Sequence, residues 1–187
     1  MHRHIRASQH RALPTGRGFS FIEILAVISI VGIVGVAAIA SMAPSRQAKQ
    51  RAAARGLAAG ITYVRERALT TGRSTWCYVY TNTEKIDYYE TISGTVTSIT
   101  DPATNAQLST ILGASSWNNQ YTDTAIGTVN GATSASAIIF GFDWQGRLVD
   151  SGGSLYSTAR TITVTQSGQT DITLTIAAET GLVTIAW

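Results

Sequence analysis

From Phe19 to Ala43 the sequence runs for 25 residues with Glu23 as its sole charge. As a helix this run would measure about 37 Å, more than the ~30 Å of a bilayer hydrocarbon core. A surface helix of a soluble domain needs only one apolar stripe, and this run is apolar on every side. It therefore has to lie in lipid, or among other apolar helices, or be removed. The carboxylate of Glu23 is costly in such surroundings and calls for a partner charge. Its nearness to the Arg17 end lowers that cost, since the side chain can reach the interface.

The flanks of the run are unlike. Residues 1–18 hold four arginines, all three histidines and no acid. They account for most of the basic pI of about 9.2, because the remainder carries ten basic against eleven acidic residues. That remainder divides again. Residues 46–73 have seven basic side chains against Glu66, and residues 74–187 have three against nine acids. A basic stem is thus joined to an acidic head, for which nucleic acid is not an expected partner. Cys77 is the only cysteine, so no intramolecular disulfide and no multi-cysteine metal site can form. If residues 1–18 are lost, no histidine is left for a triad, a Cys-His dyad or a histidine-bound zinc. No catalytic residue, metal ligand or cofactor is expected.

Three readings of the run compete. A secretory signal peptide would use Ala38-Ile39-Ala40 for cleavage, but its apolar region is usually about 7–15 residues and carries no carboxylate. An uncleaved anchor accounts for the length and leaves Glu23 without a purpose. The third is a short basic leader cut just before the apolar run. Gly18-Phe19-Ser20-Phe21-Ile22-Glu23 resembles the GFxxxE signature of type IV prepilins and type II secretion pseudopilins. The resemblance implies cleavage between Gly18 and Phe19 by prepilin peptidase, N-methylation of Phe19 and an assembly role for Glu23. The new α-amino group, with a pKa of about 7.7–8.0, would be mostly cationic at neutral pH. A neighbouring subunit's Glu23 could then pair with it in a low-dielectric surround, so that two costly groups satisfy each other and set axial register.

Beyond Pro44 the helical period continues. Ala54, Leu57, Ile61, Val64 and Ala68 form one apolar stripe, with Arg55 and Glu66 opposite and an end expected near Thr71-Gly72. The pair Gly56…Gly60 is a weak GxxxG, read here as a flexible or closely packed point in the stem. After Arg73 the period becomes two, with strands expected at 74–81, 86–92, 95–99, 137–142, 160–166, 171–176 and 182–187. Threonine supplies 22 of the 114 residues beyond Arg73, which suits outward β positions. Residues 100–136 read as loops and short strands of uncertain pairing.

This layout resembles GspH/FimT-type minor pseudopilins, in which a helix leads into a β-rich head with a segment like Ile138-Ile139-Phe140…Gly146-Arg147. Two departures stand out. The segment Gly181–Trp187 lacks the arginines that DNA-binding members of that group offer, and the usual proline inside the apolar run is replaced by Pro44, about one turn later. Smaller signals have plain readings. Cys77 is expected as a buried small residue, Asp143, Asp150 and Gly146 as turn residues, and the four tryptophans as core or half-buried. The stem's basic residues are expected to be solvated or between subunits.

The expected chain is α+β: leader 1–18, membrane-spanning assembly helix 19–43, amphipathic stem 44–73 packed on an antiparallel β-sheet head, 74–187. The resemblance implies a non-enzymatic minor pilin or pseudopilin. It would be an inner-membrane precursor with its head in the periplasm, later packed into a fibre with other pilins. A DNA-uptake or adhesive minor pilin is an alternative in the same machinery. A membrane-tethered β-domain binding module that never polymerises is the rival from another class.

Overall fold

The computed structural model describes residues 21–113, 121–134 and 136–187; within the first helix the side chains of Glu23 and of residues 32–45 lie outside the description. The helix α1 runs Phe21–Thr71 and includes Pro44. It ends where expected. Gly72 adopts a left-handed φ of 66° and its N–H bonds the Ala68 carbonyl at 2.9 Å, a glycine cap that terminates the helix. The chain divides into two compact units, Met1–Ser41 and Met42–Trp187.

In the second unit the described residues form ten strands: β1 Thr75–Tyr80, β2 Lys85–Ile92, β3 Thr95–Ser98, β4 Ser109–Ile111, β5 Thr124–Val129, β6 Ile138–Phe142, β7 Leu148–Asp150, β8 Arg160–Gln166, β9 Ile172–Ile176 and β10 Val183–Ala186. They build two antiparallel sheets rather than one. The larger has the order β3-β2-β1-β6-β7 with β4 also on β2; the smaller is β10-β9-β8-β5. Every expected strand is present within a residue or two. The additional strands β4, β5 and β7 are short or irregular, and the β5–β8 register shifts between Ile126 and Val129.

One core joins both sheets to the stem half of α1. Ala54, Leu57, Ile61, Val64 and Ala68 are fully buried with Cys77, Val79, Ile86, Tyr88, Phe140, Phe142, Ile162, Val164, Leu174 and Ile176. Strand alternation assigns the faces: Cys77 and Val79 point inward, Trp76, Tyr78 and Tyr80 outward, as their spacing implies. Gly56 and Gly60 prove to be a close-packing site. A Cβ at Gly60 would stand 2.9 Å from Tyr88 Cζ and one at Gly56 3.0 Å from the Tyr121 hydroxyl. The missing side chains let two tyrosines of the head reach the helix backbone.

Candidate assembly surface

Of the residues singled out for assembly, Gly18 and Phe19 lie outside the described residues. Glu23 is placed only as backbone, in the first described turn of α1. What is described around it is distinctive. Phe21, Ile22, Ile24, Leu25, Val27, Ile28, Ile30 and Val31 are all exposed, from 47% to 78%. At 100° per residue these positions cover the whole circumference of the helix. The single hydroxyl among them, Ser29, donates to the Leu25 carbonyl one turn back at 2.8 Å, so it asks nothing of its surroundings. Such a surface is unfavourable in water by roughly 25 cal/mol per Å² of apolar area and calls for an apolar environment on all sides. Among the described residues no helix is long and apolar enough to cross a membrane; the described side chains of this half end at Val31, about 16 Å of helix from Phe21.

The stem half of α1 is bound to its head by polar contacts as well as by its apolar stripe. Arg67 grips Glu90 of β2 with two hydrogen bonds of 2.9 Å, Nε to Oε2 and Nη2 to Oε1. The hydrogen bond from Arg67 is the main reason the Glu90 carboxyl is held below its ordinary range, against the opposing effect of burial. Arg65 Nε donates to the Thr180 carbonyl at 2.7 Å. Buried Gln50 donates through Nε2 to the carbonyls of Val164 and Thr170, both at 3.0 Å. Arg51 and Arg55 lie 5.7 and 5.1 Å from the centre of the Trp187 ring, within cation–π range. The expectation of solvated or inter-subunit charge is therefore corrected for Arg65 and Arg67, which are half-buried on their own head, while Arg51 and Arg55 stay exposed beside Trp187. Arg46, Lys49 and Arg73 are exposed. Nothing in the hydropathy pattern signalled this docking, because arginine reaches sideways from a polar position.

The other sequence readings resolve individually. Cys77 is buried, and burial pushes its thiol up, which suits an inert packing residue. Asp143 Oδ1 accepts from the N–H groups of Gln145 and Arg147 at 3.0 and 2.8 Å. Asp150 Oδ1 does the same for Gly152 and Ser154, both at 2.9 Å. Both are turn residues. The tryptophan expectation fails at two positions: Trp144 and Trp187 are 59% and 56% exposed, Trp144 in the β6–β7 turn and Trp187 just beyond β10. Trp117 lies outside the described residues. Among the described residues no cluster of histidine, cysteine or acidic side chains could hold a metal.

A long helix whose distal half closes the core of an antiparallel β head is the α+β fold of pilin-like proteins. The solved structures it matches are of that kind. The type IV minor pilin FimU of Pseudomonas aeruginosa matches with a TM-score of 0.51 at 18% identity, over 75% of this chain and 90% of that one. The minor pseudopilin EpsH from the type 2 secretion system of Vibrio cholerae matches with a TM-score of 0.52 at 12% identity, over 74% and 96%. At these identities the likeness is one of fold. No protein-family model and no curated protein matches the chain.

Proposed function

We propose that the chain is a minor pilin or pseudopilin, a structural subunit made as an inner-membrane precursor with its head in the periplasm and packed with other pilins into a type IV pilus or secretion pseudopilus. The single observation that carries this reading is the all-round exposed apolar surface from Phe21 to Val31, on the same helix that closes the core of a pilin-like head. Leader cleavage between Gly18 and Phe19 by prepilin peptidase, N-methylation of Phe19 and a role for Glu23 belong to the proposal. The chain is not an enzyme on this reading. The apolar run 19–43 holds the precursor in the membrane and then packs against the same run of neighbouring subunits.

Glu23 supplies the test. Its role lies between subunits, so Glu23→Ala should leave leader cleavage, membrane insertion and head folding intact. Insertion should be slightly easier, since no carboxylate has to be desolvated. Incorporation should fail, because the neighbouring Phe19 ammonium is left buried without a partner; breaking such a pair on one side costs about 3–5 kcal/mol. The measurement is recovery of Glu23→Ala with sheared fibres and with partner pilins. Recovery equal to wild type in both would remove Glu23 from assembly. The DNA-uptake alternative is disfavoured by the head's formal charge of −6, three basic residues minus nine acidic beyond Arg73, which repels phosphate.

A further inference from the structure

The outer faces of the two sheets are made of different material. On the smaller sheet, inward Ile162, Val164, Ile172, Leu174 and Ile176 leave Thr161, Thr163, Thr165, Thr173, Thr175 and Thr184 outside, the default for a solvated strand. On the larger sheet, inward Cys77, Val79, Ile86, Tyr88 and Phe140 leave Trp76, Tyr78, Tyr80 and Tyr89 outside, on the adjacent strands β1 and β2. All four rings are partly exposed. Core packing does not need them there, and water does not favour them there.

The geometry around Trp76 is that of a prepared surface. Its cross-strand neighbour is Gly141, where a Cβ would stand 2.6 Å from Trp76 Cε3 and 3.1 Å from Cδ2. The indole therefore lies across the bare backbone of β6, with its opposite face outward. Trp76 Nε1 donates to Thr91 Oγ1 at 2.9 Å, which locks the ring and uses its only polar atom. Beside it Tyr78 and Tyr89 pack with ring centres 4.6 Å apart and a tilt of 58°. Trp76, Tyr78 and Tyr80 recur about every 6.8 Å along β1, so the aromatic row spans about 14 Å. The charged groups on this outer face pair with each other, Lys85 Nζ lying 2.9 Å from Asp87 Oδ1. That buried oxygen accepts no aligned hydrogen bond. Burial, then the neighbouring Tyr89 and Asp87, raise the Tyr80 phenol, which keeps it a neutral donor.

We propose that the outer face of the larger sheet, centred on Trp76, Tyr78 and Tyr89, binds an uncharged β-1,4-linked glycan by stacking sugar rings on the aromatic row. Size and charge choose this occupant. Four rings that are each partly buried present far less than the ~800 Å² per partner of a stable protein interface, but enough for a few sugars. The head's formal charge of −6 beyond Arg73 repels polyanions, and the Lys85–Asp87 pair on this face adds no net charge. A pyranose presents C–H faces to aromatic planes and hydroxyls at its edge, where the partly exposed phenols can meet them. A β-1,4 chain is extended and ribbon-like, so successive rings can follow a straight strand, whereas an α-1,4 chain coils away. This surface is independent of whether the chain polymerises.

The test uses the full chain in phosphocholine micelles, which carry no sugar headgroup, with saturation-transfer NMR to cellohexaose and N-acetylchitohexaose. Transfer to ring C–H protons is expected for at least one of them, with a Kd of about 1 mM, as befits a small open surface. Trp76→Thr and Tyr78→Thr reproduce the other sheet's outer face with a good strand residue, and each should weaken binding about fivefold or more. Trp144→Thr and Trp187→Thr should leave it unchanged. Should Trp76→Thr lose its fold by circular dichroism, Tyr78→Thr and Tyr89→Thr carry the test. No transfer from either sugar at about 10 mM, undiminished transfer in a folded Tyr78→Thr protein, equal affinity for maltohexaose, or tighter binding of a thymidine oligonucleotide would each overturn the proposal.

Discussion

The two halves of α1 share one backbone geometry and differ in what surrounds them. Between Gln50 and Ala68 the helix is buried along one stripe and carries mostly charged or small residues elsewhere, so its partner is its own head. Between Phe21 and Val31 every described large side chain is exposed and apolar, so among the described residues it has no partner. A helix that changes from one-sided to all-round apolarity moves from intramolecular to intermolecular or lipid packing. On the proposed function, that change, more than the β head, is what separates an assembly subunit from a small α+β domain carrying a helix.

The contrast is most sharply exposed by matched truncations. Leu57→Ala should destabilise the head by about 2–5 kcal/mol, through lost burial and a residual cavity, read by denaturant unfolding. Ile28→Ala should change the same quantity by less than about 0.5 kcal/mol, since its side chain is 63% exposed. Equal effects would erase the distinction between the halves.

A smaller effect is expected at the ion pair. Arg67→Ala leaves Glu90, with a side chain only 6% exposed, unpartnered; Arg67 itself is 30% exposed, which lowers the cost to about 2–3 kcal/mol. The pH dependence has a definite sign. The carboxyl of Glu90 is depressed, first by the Arg67 hydrogen bond. The pair's contribution is therefore fully present above the unfolded glutamate value of about 4.3 and is lost as pH falls through the lower folded value. Wild type and Arg67→Ala should converge in stability on acidification, and a constant gap down to the acid limit would contradict this.

Gly60→Ala is expected to cost about 1–3 kcal/mol, since the new methyl group overpacks against the ring of buried Tyr88. A stabilised protein would mean that Tyr88 moves freely. Among the head contacts the smallest effect should come from Trp187→Ala, about 0.5–1 kcal/mol for two exposed cation–π contacts, with loss of the corresponding tryptophan fluorescence and no change of fold.

Much of this was legible beforehand because period and burial are directly linked. The spacing of Ala54, Leu57, Ile61, Val64 and Ala68 named the buried stripe, and the alternation from Ile162 to Ile176 named the inner face of β8 and β9. Alternation says which way a side chain points and not which strand lies alongside, so the division into two sheets could not be read. Strands of three residues, β4 and β7, are too short to show a period. In β5 the bulge beyond Ile126 breaks the alternation that would have revealed it. The residues proposed for processing and assembly stand out in the sequence for another reason. Gly18, Phe19 and Glu23 are marked by contrast with an apolar run, whereas docking of Arg65 and Arg67 depends on long side chains that leave no pattern.

The most direct measurement is the N-terminus of the chain recovered from sheared fibres, read by intact-mass and fragment mass spectrometry. A chain beginning at N-methylated Phe19, with Glu23 retained, is the expected result: the apolar half of α1 would then be kept and buried among neighbouring subunits. A chain beginning at Ser41, shorn of that half, or one still beginning at Met1 and absent from fibres, would contradict it.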